Sequence, residues 1–554
     1  MINNKKREKE IEKEIERYKE YLNKLEEVRK KGLISEEIYN VLKNEYQSIL
    51  EILINYKSRR EKVEKKKISP SLMISVIIII VLLEVLVYYA TLPPKVEVVP
   101  TTIVQTALKT ETLPGTTIVR TEERTVVQTA VTTVAPTRPK LVIWGRGTFV
   151  PPQMYWVEKK AREWAAGKGV DVEITWIPVA EIGTKLTAAV EAGAPPDLVI
   201  NGHPVARFAE AGLLLPLDDI VEKLNESDIY EVKRAVCKWG GHYYAISTMF
   251  EITWIHARID LIKKAGAENL WPPKNLDELY ELAKKLNDPA HEVWGLGIPL
   301  GLKGYDAWWQ FQHYWIAYGG AMMESKTPEG VLIGKEPYRS GLKKAFEMYV
   351  KMWREGLTPP DSGEWVDASN NQAYINGRIA IAINPLSIYY ALATSKPELA
   401  AVTSLAPVLP VSIDLGDESC FVFKTTKYPD LAKDLIYYLY KDKDDYTKGF
   451  CEASSWYAFP IFKSQVAKIS ERWKKGEFKY FAVDPAKVVE AIKYFESGSW
   501  PLLERNTVCE SFREGFIWTE MIQRVVLKGE DIDKVIDEYH NRFVEEIKRV
   551  YGGK

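Results

Sequence analysis

From residue 141 onwards, short runs of apolar residues alternate with stretches in which an apolar residue recurs every three or four positions. The short runs predict β-strands, and the periodic stretches predict amphipathic helices. In chain order, strand and helix alternate over residues 141–144, 154–166, 170–177, 183–192, 197–200 and 205–211. Such units build a mostly parallel sheet covered by helices on both faces, so this part of the chain is predicted to have an α/β fold.

The positions just after these strands are candidates for ligand contacts, because open α/β sheets bind ligands at the carboxyl ends of their strands. Trp144 and Arg146 stand at the end of the first predicted strand, and Asn201 and His203 follow the third. A guanidinium group can clamp a carboxylate or a hydroxyl group, which makes Arg146 a candidate for ligand binding.

A second group of candidates lies in the aromatic stretch 305–320, where Trp308, Trp309, Gln312 and Trp315 are spaced so that they share helical faces. Aromatic rings stack on the apolar faces of sugars, while amide and charged side chains bind hydroxyl groups. The chain holds 17 Trp and 30 Tyr, more than a core of this size needs, which favours aromatic residues at a site. Burial in the core is an equally good interpretation of each tryptophan in this stretch.

The N-terminal part of the chain has a different pattern, in which Lys and Glu fill the positions between regularly spaced apolar residues. One such series begins at Ile11, and a second follows Ser35, which can cap a helix. Residues 1–69 are therefore predicted to form a charged helical hairpin or coiled coil. Two interpretations stay open: a cytoplasmic module for self-association or docking, and a charged extension that only spaces the anchor.

A mostly apolar run of about 20 residues ends at Leu92 and is long enough to cross roughly 30 Å of hydrocarbon, so a transmembrane helix is predicted at 70–92. Lys and Arg crowd residues 59–67 on its N-terminal side, which predicts a cytoplasmic N-terminus and an extracellular C-terminal domain. The long preceding segment argues against a cleaved signal peptide. Glu84 within the run is explained either by a polar partner such as a permease helix or by protonation.

Residues 93–139 are rich in Thr and Val, interrupted by Pro and almost free of aromatic residues. This composition predicts an extended Thr/Pro-rich extracellular linker. Residues 140–554 then form the large domain, which contains all four cysteines, Cys237, Cys420, Cys451 and Cys509. Their spacing favours neither a zinc ribbon nor a redox centre, and both disulfide bonds and buried thiols are open.

Charge and motifs narrow the classes of function. Lys plus Arg number 75 and Asp plus Glu number 76, so the net charge gives no reason to expect a nucleic-acid partner. The sequence has no H-E-x-x-H, no G-x-S-x-G and no G-x-x-x-x-G-K-[ST] motif. No catalytic residue, metal ligand or cofactor is therefore predicted, and any ATP-driven transport needs a separate ATPase chain.

Several segments resemble the extracellular solute-binding proteins of ABC importers, in the maltose-binding-protein-like group. KLTAAVEAGAPPDLVI at 185–200 and RFAEAGLLLPLDD at 207–219 are similar to the family's helix, Pro-Pro-Asp strand entry and Gly-Leu-Leu-x-Pro-Leu turn. Residues 240–267 are similar to the first crossover between the family's two lobes, with His242 in place of the usual Lys and Ser247 in place of Pro. Further similar segments follow in order at 272–286, 371–384 and 427–440.

The resemblance implies a two-lobed, periplasmic-binding-protein-like (type II) α/β domain, preceded here by the helical hairpin, one transmembrane helix and the Thr-rich stalk. One lobe would combine residues 141–248 with a return segment near Asn384, and the other would span residues 251–383. The final helices would brace both lobes. By the same resemblance, Glu251 beside the first crossover, Asn384 before the return, and Trp456 with Tyr457 in a later loop are candidate ligand-binding residues.

The implied function is capture of a small polar solute, a sugar or oligosaccharide, in the cleft between the lobes, for delivery to an ABC transporter permease. A sensory or adhesion receptor with the same fold is the main alternative, and a glycan-acting enzyme is a weaker one. The abundance of Lys and Glu, with an apolar anchor in place of a lipid-bearing Cys, resembles archaeal proteins.

Overall fold

The computed structural model describes Lys19, Glu26 and residues 107–113, 116–122, 138–179, 181–203, 205–416, 418–495 and 499–552. Nearly all of the predicted helical hairpin at 1–69, the whole predicted membrane span at 70–92 and most of the predicted linker lie outside these residues. Within the described part of the chain, no helix combines the length and the apolar character needed to span a membrane.

The chain divides into two compact units, Met1–Thr132 and Thr133–Lys554. In the first unit, strands β1 (Ala107–Leu113) and β2 (Thr116–Glu122) form an antiparallel pair inside the segment predicted as a linker. The many β-branched Thr, Val and Ile residues of this segment favour the extended backbone that strand pairing requires.

The second unit alternates strands and helices. Its strands are β3 (Lys140–Arg146), β4 (Asp171–Ile177), β5 (Leu198–Gly202), β6 (Lys238–Trp239), β7 (His242–Tyr243), β8 (Ile246–Ser247), β9 (Trp254–Arg258), β10 (Trp294–Gly297), β11 (Ile379–Asn384), β12 (Thr403–Pro407), β13 (Ile413–Asp414), β14 (Ser419–Val422) and β15 (Tyr494–Phe495). Its helices are α1 (Pro151–Lys168), α2 (Ile182–Glu191), α3 (Ala206–Glu210), α4 (Asp218–Lys223), α5 (Glu231–Ala235), α6 (Ile259–Lys264), α7 (Leu276–Leu286), α8 (Tyr305–Ala317), α9 (Tyr338–Arg354), α10 (Ser369–Ile375), α11 (Ser387–Ser395), α12 (Pro397–Ala401), α13 (Pro429–Lys441), α14 (Lys443–Tyr446), α15 (Lys463–Lys474), α16 (Pro485–Ala491), α17 (Thr507–Glu514), α18 (Ile517–Val526) and α19 (Ile532–Tyr551).

Local sequence accounts for many of these boundaries. Helix α7 begins after Asn275, whose side chain accepts a hydrogen bond from the backbone N–H of Glu278 at 2.8 Å. Helix α1 starts with two prolines and is followed by Gly169, whose φ of 67° is in the left-handed region that glycine favours. The six elements predicted between residues 141 and 211 agree with the observed ones to within three residues at each end.

Two sheets define two lobes, each with its own apolar core. The sheet of lobe 1 has the strand order β4-β3-β5-β14-β8, with β3, β4 and β5 parallel and β14 antiparallel to both of its neighbours. The sheet of lobe 2 has the order β10-β11-β9-β12, in which β9 is antiparallel to β11 and β12. The two-lobed α/β architecture expected from the resemblance is therefore present.

The chain returns to lobe 1 later than expected. The sequence placed the return near Asn384, but β12 pairs with β9 over its whole length and so still belongs to lobe 2. The chain re-enters the sheet of lobe 1 only at β14. The reason is that β11 and β12 both pair within the sheet of lobe 2. The helices that connect them, α11 and α12, therefore also come before the chain crosses back to lobe 1.

Asp414 joins the first two segments that cross between the lobes. It lies on the returning segment, and its Oδ1 accepts hydrogen bonds from the backbone N–H groups of Glu251, on the outgoing segment, at 2.9 Å and of Gly416 at 2.8 Å. Lys233 of α5 in lobe 1 forms an ion pair with Asp414 and donates to the carbonyl of Gly416. Lys233 and Asp414 are each 1% exposed, so this ion pair lies in the interior.

Helix α17 packs in the core of lobe 2 and also closes a helix end in lobe 1. The carboxylate of Glu510 accepts hydrogen bonds from the first N–H groups at α3: Oε1 from Val205 (3.2 Å) and Ala206 (2.9 Å), and Oε2 from Arg207 (3.1 Å). Arg505 lies 3.2 Å from the same carboxylate. Glu510 thus supplies the acceptors that the start of α3 would otherwise lack, and the C-terminal helices brace both lobes as expected.

We expect Glu510→Gln to lower the free energy of unfolding by about 1–3 kcal/mol, because the amide retains only one acceptor oxygen and a buried N–H group loses its partner. Urea denaturation of the full-length chain would measure the loss. Glu545→Gln, the same change at an exposed position of α19, serves as the control and should stay within about 0.5 kcal/mol of the wild type. Equal stability of both variants would contradict this role of Glu510.

The four cysteines, which the sequence left open, are all buried thiols without disulfide bonds.

Candidate functional site

A cavity lies between the two lobes and contains about 580 Å³ of empty space, part of it open to solvent. The part of this space that a water-sized sphere can enter is about 70 Å³, so the cavity is narrow between the two lobes. The cavity is lined by Arg146, Phe149, Val179, His203, Glu251, Tyr305, Asp306, Trp309, Asp367, Asn371, Asn384, Pro385, Ser387, Leu415, Glu418, Tyr457 and Arg513. It therefore combines aromatic rings with converging polar groups.

On the lobe 1 side, Arg146 is the last residue of β3 and reaches two carboxylates. Its guanidinium forms an ion pair with Glu418 and lies 3.5 Å from the carboxylate of Glu251. The hydroxyl of Tyr457 donates a hydrogen bond to Glu251. Burial raises the pKa of Glu251 above its ordinary value, although Arg146 and Tyr457 both act to lower it. This cluster is buried but polar, and its charges are fixed in position by one another.

On the lobe 2 side, the first turn of α8 presents Asp306 and, one turn later, Trp309. The indole N–H of Trp309 donates to Oδ1 of Asp306 at 3.0 Å, which fixes the orientation of the ring. Asp367, from the loop before α10, accepts the backbone N–H of Asp306 at 3.2 Å and so caps the start of α8. Among the described residues, Oδ2 of Asp306 has no hydrogen-bond partner within normal distance.

The two carboxyl groups influence each other. Burial, and next the negative charge of Asp367, hold the pKa of Asp306 well above its ordinary value. Burial raises the pKa of Asp367 to about 6, although the backbone N–H groups of Asp306 and Tyr305 and the charge of Arg146 act to lower it. Ionising both groups at neutral pH therefore costs folding free energy in the unliganded protein.

The contribution of Asp367 to the stability of the unliganded protein should fall as the pH rises from about 4 to about 6. A carboxyl group with a raised pKa binds its proton more tightly in the folded state, so its relative stabilisation of the fold is full at low pH and is lost through this window. For Asp367, a shift from 3.8 to about 6 corresponds to roughly 2–3 kcal/mol. Denaturation curves of the wild type and of Asp367→Asn at several pH values would measure this contribution as the difference between their two slopes. An unchanged slope in the variant would contradict the assignment.

A closed set of side-chain hydrogen bonds forms a further wall of the cavity. Asn384, the last residue of β11, donates to Asn371 at 2.6 Å, and Asn371 donates to the hydroxyl of Ser387 at 3.0 Å. Ser387 in turn lies 3.3 Å from Oδ1 of Asn384. These three groups hold one another in fixed rotamers, so they can present their remaining donors and acceptors to a ligand without prior ordering.

Arg513 links the lobes at the other side of the cavity. It donates to Nδ1 of His203, in lobe 1, at 2.9 Å and to the carboxylate of Glu514 at 2.9 Å. Burial alone would raise the pKa of Glu514, but the contacts with His203 and Arg513 outweigh it and lower the pKa to about 2. The guanidinium also lies 5.7 Å from the centre of the Tyr305 ring, within the range of a cation–π contact.

Six of the twelve residues predicted from sequence meet at this cavity: Arg146, His203, Glu251, Trp309, Asn384 and Tyr457. Two others lie close to the lobe 1 sheet but elsewhere. Trp144 lines a surface groove together with Pro195 and Pro196. Asn201 is buried and accepts a hydrogen bond from the hydroxyl of Thr248 at 2.5 Å.

The remaining four lie in the protein interior away from this cavity. Trp308 stacks on Trp518 of α18, with ring centres 5.2 Å apart and an interplanar angle of 19°. Gln312 and Trp315 line a separate small cavity, of about 180 Å³, with Trp500. Trp456 stacks on an aromatic ring of the lobe 1 core. Of the tryptophans of α8, only Trp309 is among the described residues that line the site.

Sequence reasoning missed several lining residues, chief among them Tyr305, Asp306, Asp367, Glu418 and Arg513. Tyr305 and Asp306 stand four and three positions before Trp309, so helical spacing could have included them. Asp367 comes from the loop before α10, Glu418 directly precedes β14, and Arg513 lies on α17. No local pattern marks them, because only the folded chain brings them together.

Comparison with known proteins gives two kinds of likeness. In sequence, the chain is 31% identical over 253 residues to a maltotriose-binding protein of Pyrococcus abyssi, covering 45% of this chain and 50% of that one. It is 26% identical over 200 residues to an ABC transporter extracellular-binding protein of Pyrococcus horikoshii, covering 35% of this chain and 41% of that one. The chain thus spans half or less of the length of these relatives.

In structure, the chain is similar to a solute-binding protein of Thermotoga lettingae solved with bound α-D-tagatose, with a TM-score of 0.59 and 19% identity over 74% of this chain and 100% of that one. It is also similar to a maltose-bound MalE3 of T. maritima, with a TM-score of 0.56 and 16% identity over 74% of this chain and 99% of that one. At such identities, the likeness shows the fold alone.

A family model described as bacterial extracellular solute-binding protein matches residues 160–479, a stretch that includes most of lobe 1 and most of lobe 2. This match covers more than half of the chain, and this protein therefore belongs to the bacterial extracellular solute-binding protein family.

Proposed function

We propose that this protein captures a sugar or oligosaccharide in the cavity between its lobes, outside the cell, and delivers it unchanged to the permease of an ABC importer. The observation that carries the proposal is the composition of the cavity, in which aromatic rings and fixed polar groups from both lobes converge. Family membership and the sugar-binding relatives support the same ligand class.

Each chemical feature of a sugar has a counterpart in the cavity. The rings of Trp309, Tyr305 and Tyr457 offer apolar faces on which a pyranose can stack. Arg146 and His203 offer hydrogen-bond donors, while Glu251 and Asn384 offer acceptors, for ring hydroxyl groups. Because these groups come from different lobes and from the crossing segment, a single ligand can contact both lobes at once.

The anchoring of the receptor is part of the proposal and is supported by sequence pattern. Residues 70–92 would form a single-pass membrane helix, with the charged hairpin of residues 1–69 in the cytoplasm and residues 93–139 as a stalk. The permease and the ATPase would be separate chains, and the N-terminal helices would provide a surface for self-association.

A thermal-shift screen of the full-length chain against mono- and oligosaccharides, amino acids and short peptides tests the ligand class. A ligand at 100 times its Kd stabilises the folded state by about 2.7 kcal/mol, which raises the Tm measurably. We expect sugars to raise it and to be recovered intact by chromatography. Cleaved sugar would make the protein a glycan-acting enzyme. Stabilisation by amino acids or peptides alone would show that the ligand is an amino acid or a peptide and not a sugar.

Trp309→Phe provides the matched variant for this screen. The smaller ring removes part of the stacking surface and the indole N–H while keeping an aromatic residue at the site. The sugar-induced Tm shift, measured from the Tm of each unliganded protein, should therefore shrink in the variant. An unchanged shift would place the ligand elsewhere, and no shift with any compound would favour a sensory or adhesion receptor.

A further inference from the structure

The charges that line the cavity are unequal in number. Two guanidinium groups, of Arg146 and Arg513, face four carboxylates, of Glu251, Asp306, Asp367 and Glu418. Arg146 forms ion pairs with two of these carboxylates, Glu251 and Glu418. Arg513 is engaged by a carboxylate outside this set, that of Glu514. Carboxyl groups therefore outnumber guanidinium groups in the cavity, and the excess lies on lobe 2. Because the pKa values of Asp306 and Asp367 are raised, a cation bound between them would favour the ionisation of both.

Asp306 and Asp367 carry this excess. In the part of the chain that the structure describes, no Lys or Arg nitrogen lies within 4.0 Å of either carboxylate. Asp306 is 7% exposed and lines the cavity, and its Oδ2 makes no hydrogen bond of normal geometry there. The side-chain amide of Asn370 acts to lower the pKa of Asp306, but its nitrogen also lacks a bond of normal geometry. A ligand donor at Oδ2 would therefore improve the pairing of a buried carboxylate oxygen.

Structural roles explain only part of this arrangement. Asp367 caps α8 through one oxygen, and Asp306 orients Trp309 through its Oδ1. An asparagine at either position could accept the same hydrogen bonds without a charge. The second oxygen of Asp306 and the charge of the pair are not needed for these structural roles. We therefore infer that they serve to contact a ligand in the cavity.

The aromatic surroundings indicate which donor fits. Trp309, whose ring is fixed by Asp306, lines the same cavity as both carboxylates, and Tyr305 lies beside Asp306 at the start of α8. Neighbouring carboxylates suit a protonated amine, which gains ion pairing with both, and the nearby rings can stack on the sugar that carries the amine. A metal ion fits less well, since the described residues contain no group of three or more His, Cys, Asp or Glu side chains arranged to hold one.

We propose that the ligand is an amine-bearing sugar, and that Asp306 and Asp367 bind its protonated amino group beside Trp309. The proposal rests on the proposed function, because it assumes that a sugar occupies the cavity. The aromatic rings and the hydroxyl-binding groups then hold the ring of the sugar. The carboxylate pair distinguishes an amino group from a hydroxyl or acetamido group at one carbon of that ring.

Calorimetric titration of the full-length chain at pH 7 with matched sugars tests this assignment. The probes are glucosamine, N-acetylglucosamine and glucose, the corresponding galactose set, and the β-1,4-linked disaccharides of the glucose set. Within at least one set, the aminated member should bind about tenfold or more tightly than both the N-acetylated and the plain member, because only the amine is charged. Equal or weaker binding of every aminated member would overturn the proposal.

Variants separate this site from general charge effects. Asp306→Asn keeps the hydrogen bond to Trp309 but removes the charge, so the preference for the aminated sugar should fall about tenfold. Asp367→Asn provides a second test if the first variant fails to fold. Asp430→Asn, at an exposed position of α13, makes the same change outside the cavity and should keep the wild-type preference. A preference that survives both cavity variants would overturn the assignment.

Failure of this proposal differs from failure of the proposed function. If plain sugars bind and their aminated partners bind no better, the proposed function is supported and the amine site is wrong. If no member of any set binds, the proposed function and the amine site are both wrong.

Discussion

Replacing Lys233 by Met should lower the free energy of unfolding by about 3–5 kcal/mol, the loss expected when one partner of a buried ion pair is removed. Lys233 is 1% exposed, and its ammonium group contacts both the carboxylate of Asp414 and the carbonyl of Gly416. Without it, Asp414 stays buried and charged, with only the N–H groups of Glu251 and Gly416 as donors. Urea denaturation at pH 7 would measure the loss.

The pH dependence of that loss identifies its cause. Burial already raises the pKa of Asp414, and Lys233 acts to lower it, so removal of Lys233 raises it further. The destabilisation should be full where Asp414 is ionised in the variant and should shrink as the pH falls and the carboxyl group becomes protonated. A loss that is the same at pH 4 and pH 7 would contradict an electrostatic origin.

A double variant is the control for packing. Lys233→Met with Asp414→Asn removes both charges, while the asparagine oxygen still accepts the two backbone N–H groups. We expect the double variant to be more stable than Lys233→Met alone at pH 7. If it is equally unstable, the loss comes from the lysine side-chain packing and not from the ion pair.

Neighbouring tryptophans of α8 should differ in their effect on binding. Trp308→Ala should destabilise the protein by about 3–5 kcal/mol, because Trp308 is 2% exposed and stacks on Trp518 in the lobe 2 core. Trp309→Ala should also lower stability, because Trp309 is 3% exposed, but it alone of the two should weaken sugar binding by tenfold or more, because Trp309 lines the cavity. Urea denaturation and calorimetric titration of both variants would measure the two effects, with each variant serving as the control for the other.

The outcome for Trp308 decides between two interpretations of the aromatic stretch. In the sequence, ligand binding and burial are equally good interpretations of Trp308, and the structure places it against α18. A folded Trp308→Ala variant with wild-type stability and weakened binding would favour ligand binding. Loss of stability, with normal affinity in the molecules that remain folded, would favour a role in the core.

The fold could be predicted where the signal is local. The alternation of apolar runs and periodic stretches located β3 to α3 to within three residues, and the strand-end rule selected Arg146 and His203, which line the cavity. The rule failed for Trp144, which stands two residues before the end of β3 and lines a surface groove with Val142 and Pro196.

The remainder depends on tertiary contacts that leave no local signal. Helical spacing brings Trp308, Trp309 and Trp315 onto related faces but does not say which face meets the cleft. Arg513 reaches His203 across more than three hundred residues, and β12 joins the second sheet through pairing with β9. Such partners are selected by packing and strand register, so one sequence without its fold does not identify them.

Glu251 joins the cavity to the segment about which the lobes can turn. Its side chain lines the site, and its backbone N–H is bonded to Asp414, which belongs to the other crossing segment. Further backbone hydrogen bonds join the same two segments, from Leu415 to the carbonyl of Glu251 at 2.7 Å and from Thr253 to the carbonyl of Ile413 at 3.4 Å. Phe149, which lines the cavity, and Val366, which adjoins the lining residue Asp367, are 46% and 47% exposed. A rotation of one lobe against the other about the joined segments would therefore change how much of these two apolar side chains at the cavity faces solvent.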